Sequence, residues 1–141
     1  MNWISLVAFV CGMNYNSQFP GYIEAASKEF NVDKTIILSV IHTESRCNPT
    51  VVGASNDTGL MQIVPYWHQD RIEKLHVNDL FDPKQNIRVG SSLLSSLQVE
   101  TNTIDALVIY NGGYARPKQS YKYAKDVIAK AHTYKTLLNE S

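Results

Sequence analysis

The sequence predicts a mainly α-helical single domain. Three observations carry that prediction. Apolar residues recur at three- and four-residue spacing in successive segments. Good caps and stops bracket those segments. No internal repeat or linker divides the 141 residues. A chain of that length buries a real core on its own. Hydrophobic residues make up 44% and charged residues 18%, a globular rather than a disordered composition.

Residues 1–20 read as an apolar N-terminal segment and residues 21–141 as the main domain. Trp3 to Val10 is too short to span a bilayer. No Lys or Arg precedes it, so the positive start of a secretory signal is missing. Cys11 follows Val10 rather than a small residue, which argues against lipoprotein cleavage. A first helix or strand packed on the domain is the preferred reading, with a trimmed or atypical export signal left open.

Tyr22, Ile23, Ala26 and Phe30 then fall at helical spacing until Asn31-Val32-Asp33 breaks the run. Asp33 can cap a helix from Lys34 to about Ser45. The segment from Arg46 to Thr58 is rich in Asn, Pro, Gly, Ser and Asp, and reads as a loop or a small irregular hairpin. A short helix is expected near Gly59, and another from Pro65 through Trp67 to Lys74. Asp82-Pro83 is a clean helix start, followed by Ile87, Gly90, Leu93, Leu94 and Leu97 at core spacing. Thr103 is expected to cap a short apolar helix, Ile104 to Tyr110, which Asn111-Gly112-Gly113 ends. The last helix, from about Ser120 to Leu138, places Tyr123, Val127 and Ala131 on one stripe.

Composition removes several function classes. The formal net charge is zero and no basic stripe of a nucleic-acid binder is evident. The last quarter is locally basic, with Arg116, Lys118, Lys122, Lys125, Lys130 and Lys135 against Asp126, which a solvated helix face explains. His42-Thr43-Glu44 is not a zinc-protease pattern, and no spacing of ligands points to a metal or other cofactor. Cys11 and Cys47 neither prove nor exclude a disulfide.

Glu44 is the residue with chemical promise. On a helix, Val40 and Ile41 share its face. A carboxyl held against aliphatic neighbours loses hydration in its charged form, so its pKa rises and it stays protonated near neutrality. A general acid in sugar chemistry needs that property. Position alone leaves open a Glu with its head in water.

The surrounding pattern is more specific. Glu44-Ser45 is followed by Asn48-Pro49, Gly59-Leu60-Met61-Gln62-Ile63, Asp82-Pro83, Asn86-Ile87, Gly90, Tyr110-Asn111-Gly112, and Tyr123 with Val127. In order and spacing, these blocks strongly resemble the catalytic domain of the soluble lytic transglycosylases, lysozyme-like relatives of goose-type lysozyme, from about Gly21 to Thr136. The resemblance implies cleavage of the β-1,4 bond between N-acetylmuramic acid and N-acetylglucosamine in peptidoglycan. Glu44 would protonate the glycosidic oxygen, then take the proton of the C6 hydroxyl as a 1,6-anhydro ring closes. The sugar's acetamido oxygen would stabilise the anomeric carbon.

The same resemblance assigns a cleft. Gly59 would allow close backbone approach, Met61 would cover the acid, and the Gln62 amide would bond an acetamido or hydroxyl group. The Tyr110 hydroxyl would lie close to the carboxyl, with Asn111 in the same cleft and Tyr123 a further position on the last helix. Leu60 and Ile63 read as ordinary core. Tyr66, Trp67, Tyr114 and Tyr121 are candidates for sugar stacking, although each alone reads equally as packing or surface. Many members carry Ser nine residues after the acid; here that position is Gly53, and Ser55 would have to substitute. The expected partner is a peptidoglycan glycan strand, acted on in the periplasm or cell wall, with no stable membrane span. Small size suits a virion-borne enzyme or a part of a secretion system, by analogy alone.

Two competitors stand beside that reading. Between Ser45 and Gln69 the only acidic residue is Asp57. An exposed or capping role is the simpler one for it; were it to reach the cleft, hydrolysis in the manner of goose-type lysozyme becomes credible. The other competitor is a wall-binding subunit that keeps the fold without turnover.

Overall fold

The computed structural model describes residues 1–139, and those residues form helices joined by irregular loops. Seven α-helices carry the architecture: α1 (Trp3–Cys11), α2 (Phe19–Phe30), α3 (Lys34–Ser45), α4 (Gln69–Lys74), α5 (Pro83–Glu100), α6 (Thr103–Gly112) and α7 (Lys118–Leu137). Short 3-10 turns at Gly12–Asn14 and Pro65–His68 follow α1 and lead into α4.

Helix α3 is the hub. Thr35, Ile36, Ile37, Leu38, Ser39, Val40, Ile41 and Ser45 are all buried, so the helix is covered nearly all round. It packs on α7, α2 and α1, while α5 joins α2 to α6 and α6 closes onto α7. Local chemistry sets where α3 begins. The Asp33 carboxylate accepts from the Thr35 backbone N–H at 2.8 Å and from its hydroxyl at 2.7 Å. Within the core, the Ser39 hydroxyl donates to the Val127 carbonyl of α7 at 2.7 Å. Arg46 (φ 51°) and Cys47 (φ 65°) turn the chain out of the helix through left-handed backbone.

The N-terminal segment is a helix seated on this core. Trp3, Leu6, Val7 and Cys11 of α1 are buried, and the Trp3 indole N–H donates to the Pro20 carbonyl at 2.9 Å. A disulfide between Cys11 and Cys47 ties the end of α1 to the residues just past α3, with Cα atoms 5.4 Å apart.

Three local expectations need correction. No helix forms at Gly59. Residues 59–62 make a tight turn between Thr58 and Ile63, which pair as an isolated antiparallel bridge, as Val52 and Thr58 also do. Gly59 (φ 77°) and Gln62 (φ 53°) lie in left-handed backbone, which an α-helix excludes. Helix α6 is capped by Asn102 rather than Thr103, its side chain accepting from the Asp105 N–H at 2.9 Å. Helix α7 starts at Lys118, two residues ahead of the expected start at Ser120.

Replacing both Cys11 and Cys47 by Ser removes a cross-link across a sequence separation of 36 residues. The expected loss is about 2–4 kcal/mol of unfolding free energy, read as a lower urea midpoint with an unchanged far-ultraviolet helical signal.

Candidate active site

Glu44 occupies the last turn of α3, half-buried, where the helix meets the loop. Ser45 fixes that junction. Its hydroxyl donates to the Ile41 carbonyl at 3.0 Å and to the Leu60 carbonyl at 2.8 Å, locking helix end to turn. Across from it, α7 delivers the Tyr123 hydroxyl, which donates to the Glu44 carboxylate at 2.8 Å. Val40, Ile41 and Met61 are fully buried nearby.

This setting pushes the Glu44 pKa up to about 7, and three causes act on it. Burial is the largest, because the charged form loses water. The Tyr123 hydrogen bond opposes it by favouring the carboxylate, and the negative charge of Asp57 adds a further upward push. Burial and the Glu44 charge raise the pKa values of Tyr110 and Tyr123 well above the ordinary phenol value, so both hydroxyls remain donors.

The loop that walls the carboxyl is held by a buried amide. Asn86 of α5 donates to the Thr58 carbonyl at 2.9 Å and the Leu80 carbonyl at 2.8 Å, and accepts from the Met61 N–H at 2.8 Å. Gly59 is required here: a Cβ would collide with the Asn86 amide nitrogen and come within 2.6 Å of the Leu80 carbonyl oxygen. Gly90 serves the same turn from α5, since a Cβ there would strike the Met61 sulfur.

The remaining predicted site residues separate into two groups. Met61 and Tyr110 belong together, because the Tyr110 hydroxyl donates to the Met61 carbonyl at 2.6 Å. Tyr110 therefore holds the turn, and Tyr123 is the phenol bonded to the acid. Gln62 also acts inward: its amide nitrogen donates to the Val51 and Gly59 carbonyls, each at 3.0 Å. Only its carbonyl oxygen is left for a ligand. Asn111 is exposed and accepts from the Ser120 hydroxyl at 2.7 Å, which joins α6 to α7.

Beside Tyr110 opens a cavity of about 700 Å³ between α4, α5 and α6, lined among others by Ser55, Trp67, Leu97, Tyr110, Asn111 and Tyr114. Trp67 (74% exposed) and Tyr114 (68% exposed) present aromatic surface to solvent. Ser55 donates its backbone N–H to the Asp57 carboxylate at 3.1 Å. A Cβ at Gly53 would run into both Asp57 carboxylate oxygens, so Asp57 fills the space a side chain at 53 would need. Sequence reasoning passed over Ser45 and Asn86 as site-building residues; the bonds they make reach 15 and 28 residues along the chain.

The family model described as Transglycosylase SLT domain matches residues 21–133. The "Transglycosylase" of Enterobacteria phage PRD1 is 36% identical over 92 residues, covering 64% of this chain and 33% of that protein. The "Membrane-bound lytic murein transglycosylase E" of Buchnera aphidicola subsp. Baizongia pistaciae is 31% identical over 137 residues, covering 86% of this chain and 65% of the relative. The chain thus spans less than two thirds of the length of these curated relatives, 33% of one and 65% of the other. Among solved structures, the 70 kDa soluble lytic transglycosylase of Escherichia coli superimposes with a TM-score of 0.76 at 20% identity, over 88% of this chain and 26% of that one. That likeness is one of fold.

The raised pKa has a sign that stability measurements can read. Between the ordinary carboxyl value of 4.5 and about 7 the folded protein holds a proton that the unfolded chain releases, so Glu44 makes the fold less stable as pH rises through that window. Glu44→Gln keeps the neutral shape at every pH. Its stability relative to the parent should therefore grow by on the order of 1–3 kcal/mol from pH 4.5 to pH 8, compared by urea denaturation at the two pH values. A constant difference across that range would sink the buried-carboxyl account.

Proposed function

The chain belongs to the transglycosylase SLT domain family, and from that premise we propose that it is a peptidoglycan lytic transglycosylase with Glu44 as its single acid and base. The observation that carries the proposal is a half-buried carboxyl raised to about 7 and bonded to Tyr123. A group that first gives and then takes a proton works best with a pKa near the ambient pH. Protonated Glu44 donates to the oxygen between muramic acid and N-acetylglucosamine, and the C1–O bond breaks. The muramyl acetamido oxygen shields the anomeric carbon. Glu44, now a carboxylate, takes the C6 hydroxyl proton while O6 bonds to C1. The proton returns to where it began and no water enters the product.

The cavity beside Tyr110 supports a glycan-sized ligand, with Trp67 and Tyr114 as exposed aromatic surfaces at its mouth. No helix among the described residues is long and apolar enough to cross a membrane. The phage relative supports a virion-borne or exported enzyme for local wall opening.

Hydrolysis is the second reading, favoured by one observation: the charge of Asp57 is felt by Glu44. Against it, the Asp57 carboxylate already bonds the Ser55 N–H. Digested peptidoglycan decides between them by mass. Anhydro-ended fragments, one water lighter than hydrolysed ones, are expected, and hydrolysed ends alone would replace the transglycosylase with a lysozyme. Glu44→Gln should reduce turnover by about 10²–10⁴-fold.

The pH profile separates the two neighbours of the acid. Activity should fall as pH rises past about 7, where Glu44 loses its proton. Tyr123→Phe removes a bond that favours the carboxylate, so the alkaline limb should move to higher pH. Asp57→Asn removes a like charge, so the limb should move to lower pH. Shifts in the same direction would refute the balance of causes described for Glu44.

A further inference from the structure

Arg71 is a cation the proposed chemistry leaves unused. It lies on α4, half-buried, and lines the cavity opposite Tyr110 and Leu97. Two serines one turn apart on α5 anchor it: Nη1 donates to the Ser92 hydroxyl at 2.7 Å and to the Ser96 hydroxyl at 3.2 Å. A guanidinium has five N–H donors. Nη1 supplies those two bonds. Nε is buried without any hydrogen-bond partner, and no described residue accepts from Nη2.

The charge is equally uncompensated. No carboxylate among the described residues lies within ion-pair distance of Arg71, although Arg88 and Arg116 each have one. The acidic residue that shares its cavity, Glu100, accepts the Tyr114 hydroxyl at 2.8 Å. Burial alone lowers the Arg71 pKa, and the Arg71 charge in turn helps depress that of His68, which faces the same space. A half-buried guanidinium without a counter-ion gains from an anion that joins it in the cavity. The serines occupy one end of the fork. With Nη1 held by the serines and Nε buried, Nη2 is the donor left to the cavity, and it can take a carboxylate oxygen end-on in a charge-assisted bond.

We infer that Arg71 reads a carboxylate carried by the muramyl substituent of the glycan, making the cavity selective for anionic peptidoglycan over neutral amino-sugar polymers. This rests on the glycan reading given above. Peptidoglycan offers that chemistry from two sources: the acids of the stem peptide, and the lactyl carboxylate itself where the peptide is absent. Poly-N-acetylglucosamine offers neither.

The test measures binding rather than turnover, in the Glu44→Gln protein with and without Arg71→Gln. Three tetrasaccharides serve as ligands: peptide-bearing muroglycan, muroglycan stripped of peptide by an amidase, and neutral N-acetylglucosamine tetramer. Arg71→Gln should weaken at least one muroglycan about tenfold, equivalent to about 1.4 kcal/mol. That loss should shrink as salt rises, and the neutral tetramer should be unaffected. Whichever muroglycan suffers identifies the source of the carboxylate.

Equal weakening of all three ligands, or unchanged binding of both muroglycans, overturns the inference. An unchanged far-ultraviolet helical signal is the separate check on folding. Should Arg71→Gln fail that check, Ser92→Ala with Ser96→Ala loosens the guanidinium instead and should cost affinity for muroglycan alone. A protein that binds none of the three sugars overturns the glycan reading itself, whereas one that binds all three regardless of Arg71 overturns only the anion reader.

Discussion

A single carboxyl on an otherwise buried helix governs how the molecule is arranged. Glu44 ends α3, whose other faces are covered by α1, α2 and α7. Lifting its pKa from 4.5 to about 7 corresponds to roughly 3 kcal/mol against the charged form. A fold tolerates such a group only if everything near it is fixed well enough to exclude water and still supply a donor. Tyr123 is that donor, and it arrives from a helix 79 residues further along the chain. The contact between α3 and α7 therefore serves packing and chemistry together, and the Ser39 bond to the Val127 carbonyl sets its register.

The other wall of the site is irregular backbone, which is harder to hold than a helix. Buried peptide groups outside regular structure need individual partners. Here Ser45, Asn86, Gln62 and Tyr110 supply them, all aimed at the carbonyls and N–H groups of residues 51–61. Polar side chains that look from sequence like ligands for a sugar are thus largely engaged in shaping the turn. Met61 is the product of that effort. Its backbone is gripped at both ends, by Asn86 at the N–H and Tyr110 at the carbonyl, and Gly90 leaves room for its sulfur.

What was legible in the sequence follows the range of the interaction. Asp33 and Asp82 mark helix starts because capping is a contact over two or three residues. Asn102 and Thr103 are both competent caps, and the choice between them falls to whichever oxygen reaches the Asp105 N–H. The turn at Gly59 is not legible locally, because the bonds that hold it come from Asn86 of α5 to Thr58 and Met61, and Gly59 and Gln62 take left-handed backbone within it. For the site, Glu44 is legible through the ordered blocks that follow it, since its aliphatic neighbours alone leave an exposed carboxyl open. The division of labour between Tyr110 and Tyr123 is not, since both sit at plausible positions and only tertiary packing decides which hydroxyl meets the acid. Arg71 was invisible for the same reason: its serine anchors lie 21 and 25 residues away.

The proposed reaction also explains why one buried acid is enough. Hydrolysis must recruit a water molecule and hold it against the anomeric carbon, which is the work of a second carboxylate. Ring closure recruits nothing, because the attacking C6 hydroxyl is already tethered to the ring it closes on, and tethering replaces an encounter with a rotation. Asp57 is bonded to its own loop through one carboxylate oxygen, at the Ser55 N–H, and its charge acts on Glu44. Its influence on Glu44 then opposes that of Tyr123, and burial sets the level about which the two act. A pair of opposed polar neighbours around one desolvated carboxyl is a sufficient device for moving a single proton out and back, which is all that ring closure asks of it.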